Sequence, residues 1–264
     1  MESRGLRAGG APWLLRFDGG AEFVLRSGGA FDTEVAALRL AGECRIPAPH
    51  LIAVGDGVML VSVVAGSSRI PVKPTADRLA SLGAAAAALH RVELTPTKDL
   101  PLRHRPVELD DFTSWRERDG ASALLREAEE AVAQLPEPSS VPVFVHGDLW
   151  QGNTMWRNGE LTAVVDWDCA GAGHPGVDLG SLRCDASMMF GLDAADTVLT
   201  GWQERAGRVL EDVAYWDVVA ALSTPPDLTA WQLTIHDQGR DDLDGAVLTA
   251  RRDAFLRVAL DRLA

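Results

Sequence analysis

The chain has 264 residues, 47% of them hydrophobic and 24% charged, and a formal net charge of −13. That length buries a substantial core, as one large domain or as two modest lobes sharing a cleft, and the composition is that of an ordinary globular protein. The acidic balance excludes nonspecific attraction to nucleic acid or to an anionic membrane surface and favours a cationic small molecule.

The first 65 residues predict strands and one helix. Trp13 to Phe17 and Ala21 to Leu25 flank the turn Asp18-Gly19-Gly20. Asp32 or Thr33 is placed to cap a helix with Val35, Leu38 and Ala41 on one face, and Gly42 is placed to end it. Beyond Pro47 and Pro49, Leu51 to Val54 and Val58 to Val64 form a second pair around Gly55-Asp56-Gly57, and Ala65-Gly66 reads as a hinge. After Pro74 the period changes to a helical one. Leu79, Leu82, Ala86 and Leu89 follow the cap Thr75, a further helix is expected over Ala121 to Leu135, and apolar-periodic segments run from Ala194 to the end.

Cys44, Cys169 and Cys184 are odd in number and lack metal-ligand spacing, so reduced core thiols are expected. The N-terminus carries no basic-then-apolar signal, and no apolar run nears the ~20 residues of a membrane helix. A cytoplasmic protein without a membrane or nucleic-acid partner is the expectation.

One β interruption stands inside the helical half. Val141 to Val145 leads into His146-Gly147-Asp148-Leu149-Trp150-Gln151-Gly152-Asn153, and the runs Thr154 to Trp156 and Leu161 to Val165 flank Asn158-Gly159, a strong two-residue hairpin signal. A turn centred there sets Asn153 opposite Val164 and points Asp166 to the same face as Asn153. One amide and one carboxylate suit Mg²⁺, which prefers hard oxygen ligands and few protein groups. They leave Asp148 to orient a hydroxyl and accept its proton.

These residues resemble the aminoglycoside phosphotransferases and their choline-kinase-like relatives. The similarity spans roughly residues 10 to 185 and is most specific in His146 to Asn153 and in Val164-Val165-Asp166-Trp167-Asp168 through Val177-Asp178-Leu179. The resemblance implies an α+β, two-lobed protein-kinase-like fold with a small N-terminal antiparallel sheet lobe containing one helix and a larger, mostly helical C-terminal lobe. Residues 1–65 would be the nucleotide-binding lobe and 66–264 the catalytic and substrate-binding lobe. It further implies ATP and Mg²⁺ as cofactors, Asp148 as catalytic base, and Asn153 and Asp166 as metal ligands. His146 resembles a structural histidine, Asp168 either assists the metal or braces its loop, and Asp178 ties that loop to the helices.

Upstream, Phe23-Val24-Leu25-Arg26 resembles the strand whose basic residue meets the α- and β-phosphates, with Glu34 as its helix partner, and the backbone of Ser62 and Val64 resembles the adenine-binding hinge. Two departures stand out. Arginine replaces the usual lysine at residue 26, in a chain whose only lysines are Lys73 and Lys98, and arginine prefers forked contacts. The strand and glycine loop that the family carries before Trp13 are represented here only by Gly5, Gly9 and Gly10, so an abbreviated phosphate-covering loop is expected.

The function expected is transfer of the γ-phosphoryl of ATP to a hydroxyl of a small molecule, an aminoglycoside-like one first, with choline, an amino alcohol, a macrolide or a sugar as alternatives. Asp237, Asp241 and Asp242, near Asp244 and Arg240, are candidates to hold a cationic acceptor, against a solvated loop with a helix cap. Trp202, Trp216 and Trp231 read as core or as an aromatic box. Two rivals are a phosphoaspartate-forming hydrolase using Asp166 and Asp168, which leaves His146 to Asn153 without a task, and a catalytically weak nucleotide-binding pseudokinase module.

Overall fold

A computed structural model describes residues 2–7 and 10–263. Alternating apolar residues near the N-terminus build a five-stranded antiparallel sheet from β1 (Glu2–Arg7), β2 (Gly10–Arg16), β3 (Glu22–Ser27), β4 (Leu51–Gly55) and β5 (Val58–Ser62), in the order β1-β2-β3-β5-β4. The presence of β1 corrects part of the expectation of an abbreviated start: it pairs with β2 from Glu2 opposite Arg16 to Arg7 opposite Gly10. The glycine loop itself falls at residues 8 and 9, outside the described residues.

The sheet's single helix, α1 (Asp32–Glu43), buries Val35, Ala37, Leu38 and Ala41 along one stripe. Its cap position is Phe31, without a side-chain hydrogen bond, and the helix runs through Gly42, so neither Asp32 nor Thr33 caps it and Gly42 does not end it. Tertiary packing of the apolar stripe outweighs those local signals.

The larger part is helical. It comprises α2 (Ala76–Leu89), β6 (Leu102–Arg103), α3 (Phe112–Asp119), α4 (Ala123–Ala133), β7 (Val143–Val145), β8 (Thr154–Arg157), β9 (Glu160–Val164) and β10 (Gly171–Gly173). The helices α5 (Gly176–Phe190), α6 (Leu192–Ala206), α7 (Val213–Leu222), α8 (Gln232–Asp237) and α9 (Gly245–Leu263) complete it. Thr75 caps α2 by accepting from the Arg78 N–H at 3.1 Å, and Leu79, Leu82, Ala86 and Leu89 are all buried. A Cβ on Gly83 of α2 would overlap the Val198 carbonyl oxygen, and one on Gly201 of α6 that of Ala80. These two helices therefore meet backbone to backbone, a spacing only glycine permits.

The chain at Ala65 to Ser67 is stitched to the β8–β9 hairpin rather than crossing freely between the two parts. Ser67 exchanges backbone hydrogen bonds with Trp156 at 2.9 and 3.0 Å, and the Thr162 hydroxyl donates to the Ala65 carbonyl at 2.7 Å. One continuous buried cluster runs from Val35, Leu38, Met59 and Val61 through Trp156, Val164 and Trp167 to Leu82, Leu179 and Trp202. Cys169 and Cys184 are buried free thiols, whereas Cys44, also expected in the core, is exposed just past the end of α1. Among the described residues no helix is long and apolar enough to cross a membrane.

Candidate active site

Strand β7, buried on both faces, delivers His146, Gly147 and Asp148 to the centre of the molecule. Gly147 has φ 79°, and a Cβ there would overlap the Cys169 carbonyl oxygen, so the loop lies directly on the segment following Asp166. Asp178 of α5 fixes the loop from below. Its carboxylate accepts the N–H groups of His146 and Gly147, each at 2.8 Å, and lies 3.2 Å from His90 Nε2. The His146 ring packs against Trp167. Its Nδ1 accepts the Asp148 N–H at 3.3 Å, which assigns the proton to Nε2, 3.1 Å from the Val165 carbonyl. Burial lowers its pKa and keeps the imidazole neutral.

Asp148 is half-buried. Burial first, then the carboxylates of Asp166 and Asp168, push its pKa well above the usual carboxylate range, while a hydrogen bond from Asn153 opposes the shift. The amide nitrogen of Asn153 donates to the Asp148 carbonyl at 2.9 Å and to its carboxylate at 3.0 Å. That commits the nitrogen to the loop and turns the amide oxygen into the group available to a cation.

The hairpin differs from its expected register. Asn158 and Gly159 both have positive φ, 52° and 84°, as a tight two-residue turn requires, but a bulge between Met155 and Trp156 shifts the pairing. Thr154 faces Val164, and Asn153 sits in a one-turn 3₁₀ segment, accepting the Val165 N–H at 2.9 Å. Asn153 and Asp166 therefore do not share a ribbon face, because the pairing is displaced by one residue. Asp166 reaches the site because its backbone turns left-handed, with φ 70°, immediately past the strand.

Asp166 Oδ1 meets Arg26 Nη1 at 2.7 Å, and the same nitrogen meets Glu34 Oε1 at 2.6 Å. Arg26 of β3 thus joins α1 of the small sheet to the loop after β9. Burial, with Asp166 and Asp168 adding to it against the pull of Arg26, raises Glu34 to about 7. Its second oxygen is buried without a partner among the described residues. Asp168 is exposed, and partial burial followed by the Asp166 charge raises its pKa.

Arg26, Glu34, Ser62, Val64 and Asp166 line one cleft of about 630 Å³. The Ser62 N–H is already committed to the His50 carbonyl at 2.9 Å, so the expected adenine contact cannot use that donor. Asp237 lines this same cleft. Its predicted companions do not join it. Asp242 is held by Arg240 through two 2.8 Å bonds, Asp244 caps α9 by accepting the Val247 N–H at 2.8 Å, and Asp241 is exposed. The acidic run is an ion-paired, helix-capping loop with one residue in the cleft.

A second cavity, about 240 Å³ and lined by Asp148, opens between α5, the end of α7 and α8. Trp150 and Thr234 line both spaces, so they adjoin. Trp202 and Trp216 are core residues, whereas Trp231 walls this cavity. The residues overlooked from sequence are Ser181, Cys184, Asp185 and Met188. Their spacing of three, four and seven along α5, in register with the loop anchor Asp178, was a legible helical-face signal.

The oxygen groups around Asp148 are of the kind a hard divalent cation takes: the Asp166 and Asp168 carboxylates lie close enough to raise its pKa, and Asn153, whose amide nitrogen is bonded to Asp148, keeps an amide oxygen free of that bond. The wider cleft, bordered by Arg26, suits a polyphosphate.

A search of curated protein sequences finds no match. Among solved structures, the chain is similar to macrolide 2'-phosphotransferase MphH from Brachybacterium faecium, with a TM-score of 0.59 and 21% identity over 98% of this chain and 91% of that one. It is also similar to a thermostable mutant of aminoglycoside phosphotransferase APH(4)-Ia in a ternary complex with AMP-PNP and hygromycin B (TM-score 0.63, 18% identity, 97% and 93% covered). A third is the amicoumacin kinase hAmiN in complex with AMP-PNP, Ca²⁺ and Ami (TM-score 0.62, 12% identity, 94% and 84% covered). At these identities the likeness speaks for the fold, which is the two-part α+β arrangement described above. The sequence itself matches the model of the phosphotransferase enzyme family (APH) over residues 6–222, and the chain belongs to that family.

Proposed function

We propose that this enzyme transfers the γ-phosphoryl group of ATP to a hydroxyl of a small, amine-bearing molecule, with Mg²⁺ as the metal. The observation that carries this reading is the position of Asp148, on the wall of one cavity and beside the Asp166 end of an adjoining, larger cleft. In this reading residues 1–65 form the nucleotide-binding lobe and 66–264 the catalytic and substrate-binding lobe.

The nucleotide occupies the cleft under the five-stranded sheet, its base near Val64 and its phosphates near Arg26. Asn153 and Asp166 hold the metal, which supplies neutralisation of the phosphate charge when bound. Arg26, already between Glu34 and Asp166, orients a phosphate oxygen. The acceptor oxygen attacks the γ-phosphorus, its proton passes to the Asp148 carboxylate, and the bond to the bridging oxygen breaks with its electron pair leaving on ADP. Burial, the first cause of the raised Asp148 pKa, favours uptake of that proton, and a cation on Asp166 would offset the contribution of that neighbouring charge. Asp178 and His146 act by position, holding the loop so that the carboxylate faces the acceptor cavity.

The test is ADP release by the purified protein with Mg²⁺ and a panel of aminoglycosides, macrolides, amino alcohols and sugars, alongside ATP titration by calorimetry. Acceptor-dependent ADP release with a phosphorylated product supports the reading. ATP binding without turnover on any acceptor would instead favour the nucleotide-binding module.

A further inference from the structure

The cavity beyond Asp148 carries more information about the acceptor than the rest of the molecule does. Resting on the phosphotransferase reading above, we infer that the acceptor is a small amino alcohol of about one ring or less, its ammonium held by Asp185 and its hydroxyl presented to Asp148. Multi-ring aminoglycosides are then not its substrates.

Size is the first ground. At about 240 Å³ the cavity lies below the range of roughly 300–1,000 Å³ that takes drug-sized ligands. Three linked sugar rings exceed it. Wall chemistry is the second. Trp150, Trp231, Met188 and Ile235 contribute aromatic and aliphatic surface, which suits an apolar body. Asp110, Ser181, Ser223, Thr224 and Thr234 set polar groups between these surfaces, so the walls suit an apolar body carrying a few polar substituents rather than a uniformly hydroxylated one.

The third ground is Asp185. It is only 4% exposed, yet it lines the cavity. One oxygen, Oδ2, accepts the backbone N–H of Gln151 at 3.3 Å and its side-chain amide at 3.1 Å. Among the described residues no basic group lies within ion-pair distance of it. Arg78 and Arg240 act on it only from farther away, Arg78 lying over the Trp156 ring and Arg240 held by Asp242. A buried carboxylate without a cation is unfavourable unless a ligand brings one. An ammonium group does so, and the indole faces of Trp150 and Trp231 can add cation–π attraction. Asp185 thus serves as a specificity-determining residue, and Gln151 sets its orientation.

The experiment uses the full-length protein with ATP and Mg²⁺ and follows both ADP and phosphorylated product. A series of primary amino alcohols from ethanolamine to phenylalaninol is compared with counterparts in which a methyl group replaces the ammonium, and with hygromycin B. At least one member of the series is expected to exceed both its neutral counterpart and hygromycin B in kcat/KM by about tenfold or more, the scale of a charge-assisted hydrogen bond in a buried site. Asp185→Asn, which preserves shape, is expected to bring the amine and neutral values to within about threefold of each other, chiefly through KM.

Hygromycin B as the best acceptor, a neutral counterpart equal to its amine in the wild type, or a preference that survives Asp185→Asn would each overturn the inference. The wild-type comparison decides the question even if the variant does not fold. Calorimetry separates the two levels. Binding of ATP and Mg²⁺ without use of any amino alcohol overturns the acceptor assignment alone, whereas absence of nucleotide binding overturns the phosphotransferase reading as well.

Discussion

The two spaces that adjoin at Trp150 and Thr234 are built from opposite materials. The larger cleft lies between a sheet and a loop, and two of its carboxylates are already answered within the protein: one guanidinium nitrogen of Arg26 holds both Glu34 and Asp166. The smaller cavity is walled by helices and aromatic side chains, and its deepest charge, Asp185, is held by an amide and lacks a cation among the described residues. A ligand entering the cleft exchanges existing ion pairs for new ones, so charge and geometry govern recognition there. A ligand entering the cavity has to fit its smaller volume and complete an ion pair, so size and shape govern it.

The sharpest way to break this contrast is at the carboxylate proposed to act where the two spaces meet. Asp148→Asn is expected to lower acceptor-dependent turnover by roughly 10²- to 10⁴-fold, the range for loss of a general base, with ATP affinity within about threefold of wild type. Steady-state kinetics and calorimetry check both, and near-normal turnover would remove Asp148 from the chemistry. Asp166→Ala, on the cleft side only, is expected to weaken Mg²⁺-dependent nucleotide binding by about tenfold or more and to leave metal-free binding nearly unchanged. An unaltered Mg²⁺ dependence would detach Asp166 from the metal.

The cavity side yields a stability signal with a definite sign. Burial raises Asp185 from 3.8 to about 6, so the fold favours its protonated form. The corresponding stabilisation is fully present below about pH 4 and is lost as pH rises through about 6. Asp185→Asn should therefore stabilise the unliganded protein at pH 8 by on the order of 1–3 kcal/mol and have little effect at pH 4. Melting temperatures at the two pH values test this, and a gain independent of pH would show that ionisation is not its source. The smallest expected effect is Arg26→Lys. Lysine retains the charge and can still bridge Glu34 and Asp166, so the nucleotide KM is expected to change by less than about fivefold. A larger loss would mean that the arginine fork itself recognises the phosphates.

Local patterns carried much of this in the sequence. Apolar alternation exposed the N-terminal strands, period-3.6 spacing exposed α1 and α2, and Asn158-Gly159 exposed its hairpin, because each depends on neighbours within a few residues. The bulge at Met155 was not visible, since its effect is measured against a partner strand, and it moved Asn153 by one position in the pairing. The acidic run after Asp237 looked like one site because charge density in sequence carries no direction. Arg240 and the N-terminus of α9 claim two of its members.

What the sequence by itself determined was the loop to which the proposed chemistry is assigned: His146 to Asn153 and Asp166 sit in short contiguous segments whose residue types suit proton acceptance and hard-cation binding. Only the tertiary structure decided what surrounds Asp148. Arg26 and Asp166 are 140 residues apart in the chain, and Gln151 and Asp185 are 34 apart. The packing of α5, α7 and α8 creates a volume that no linear spacing encodes. Backbone order specifies which groups can react, while the distance-dependent terms, burial, ion pairing and cavity shape, arise only when remote segments are brought together.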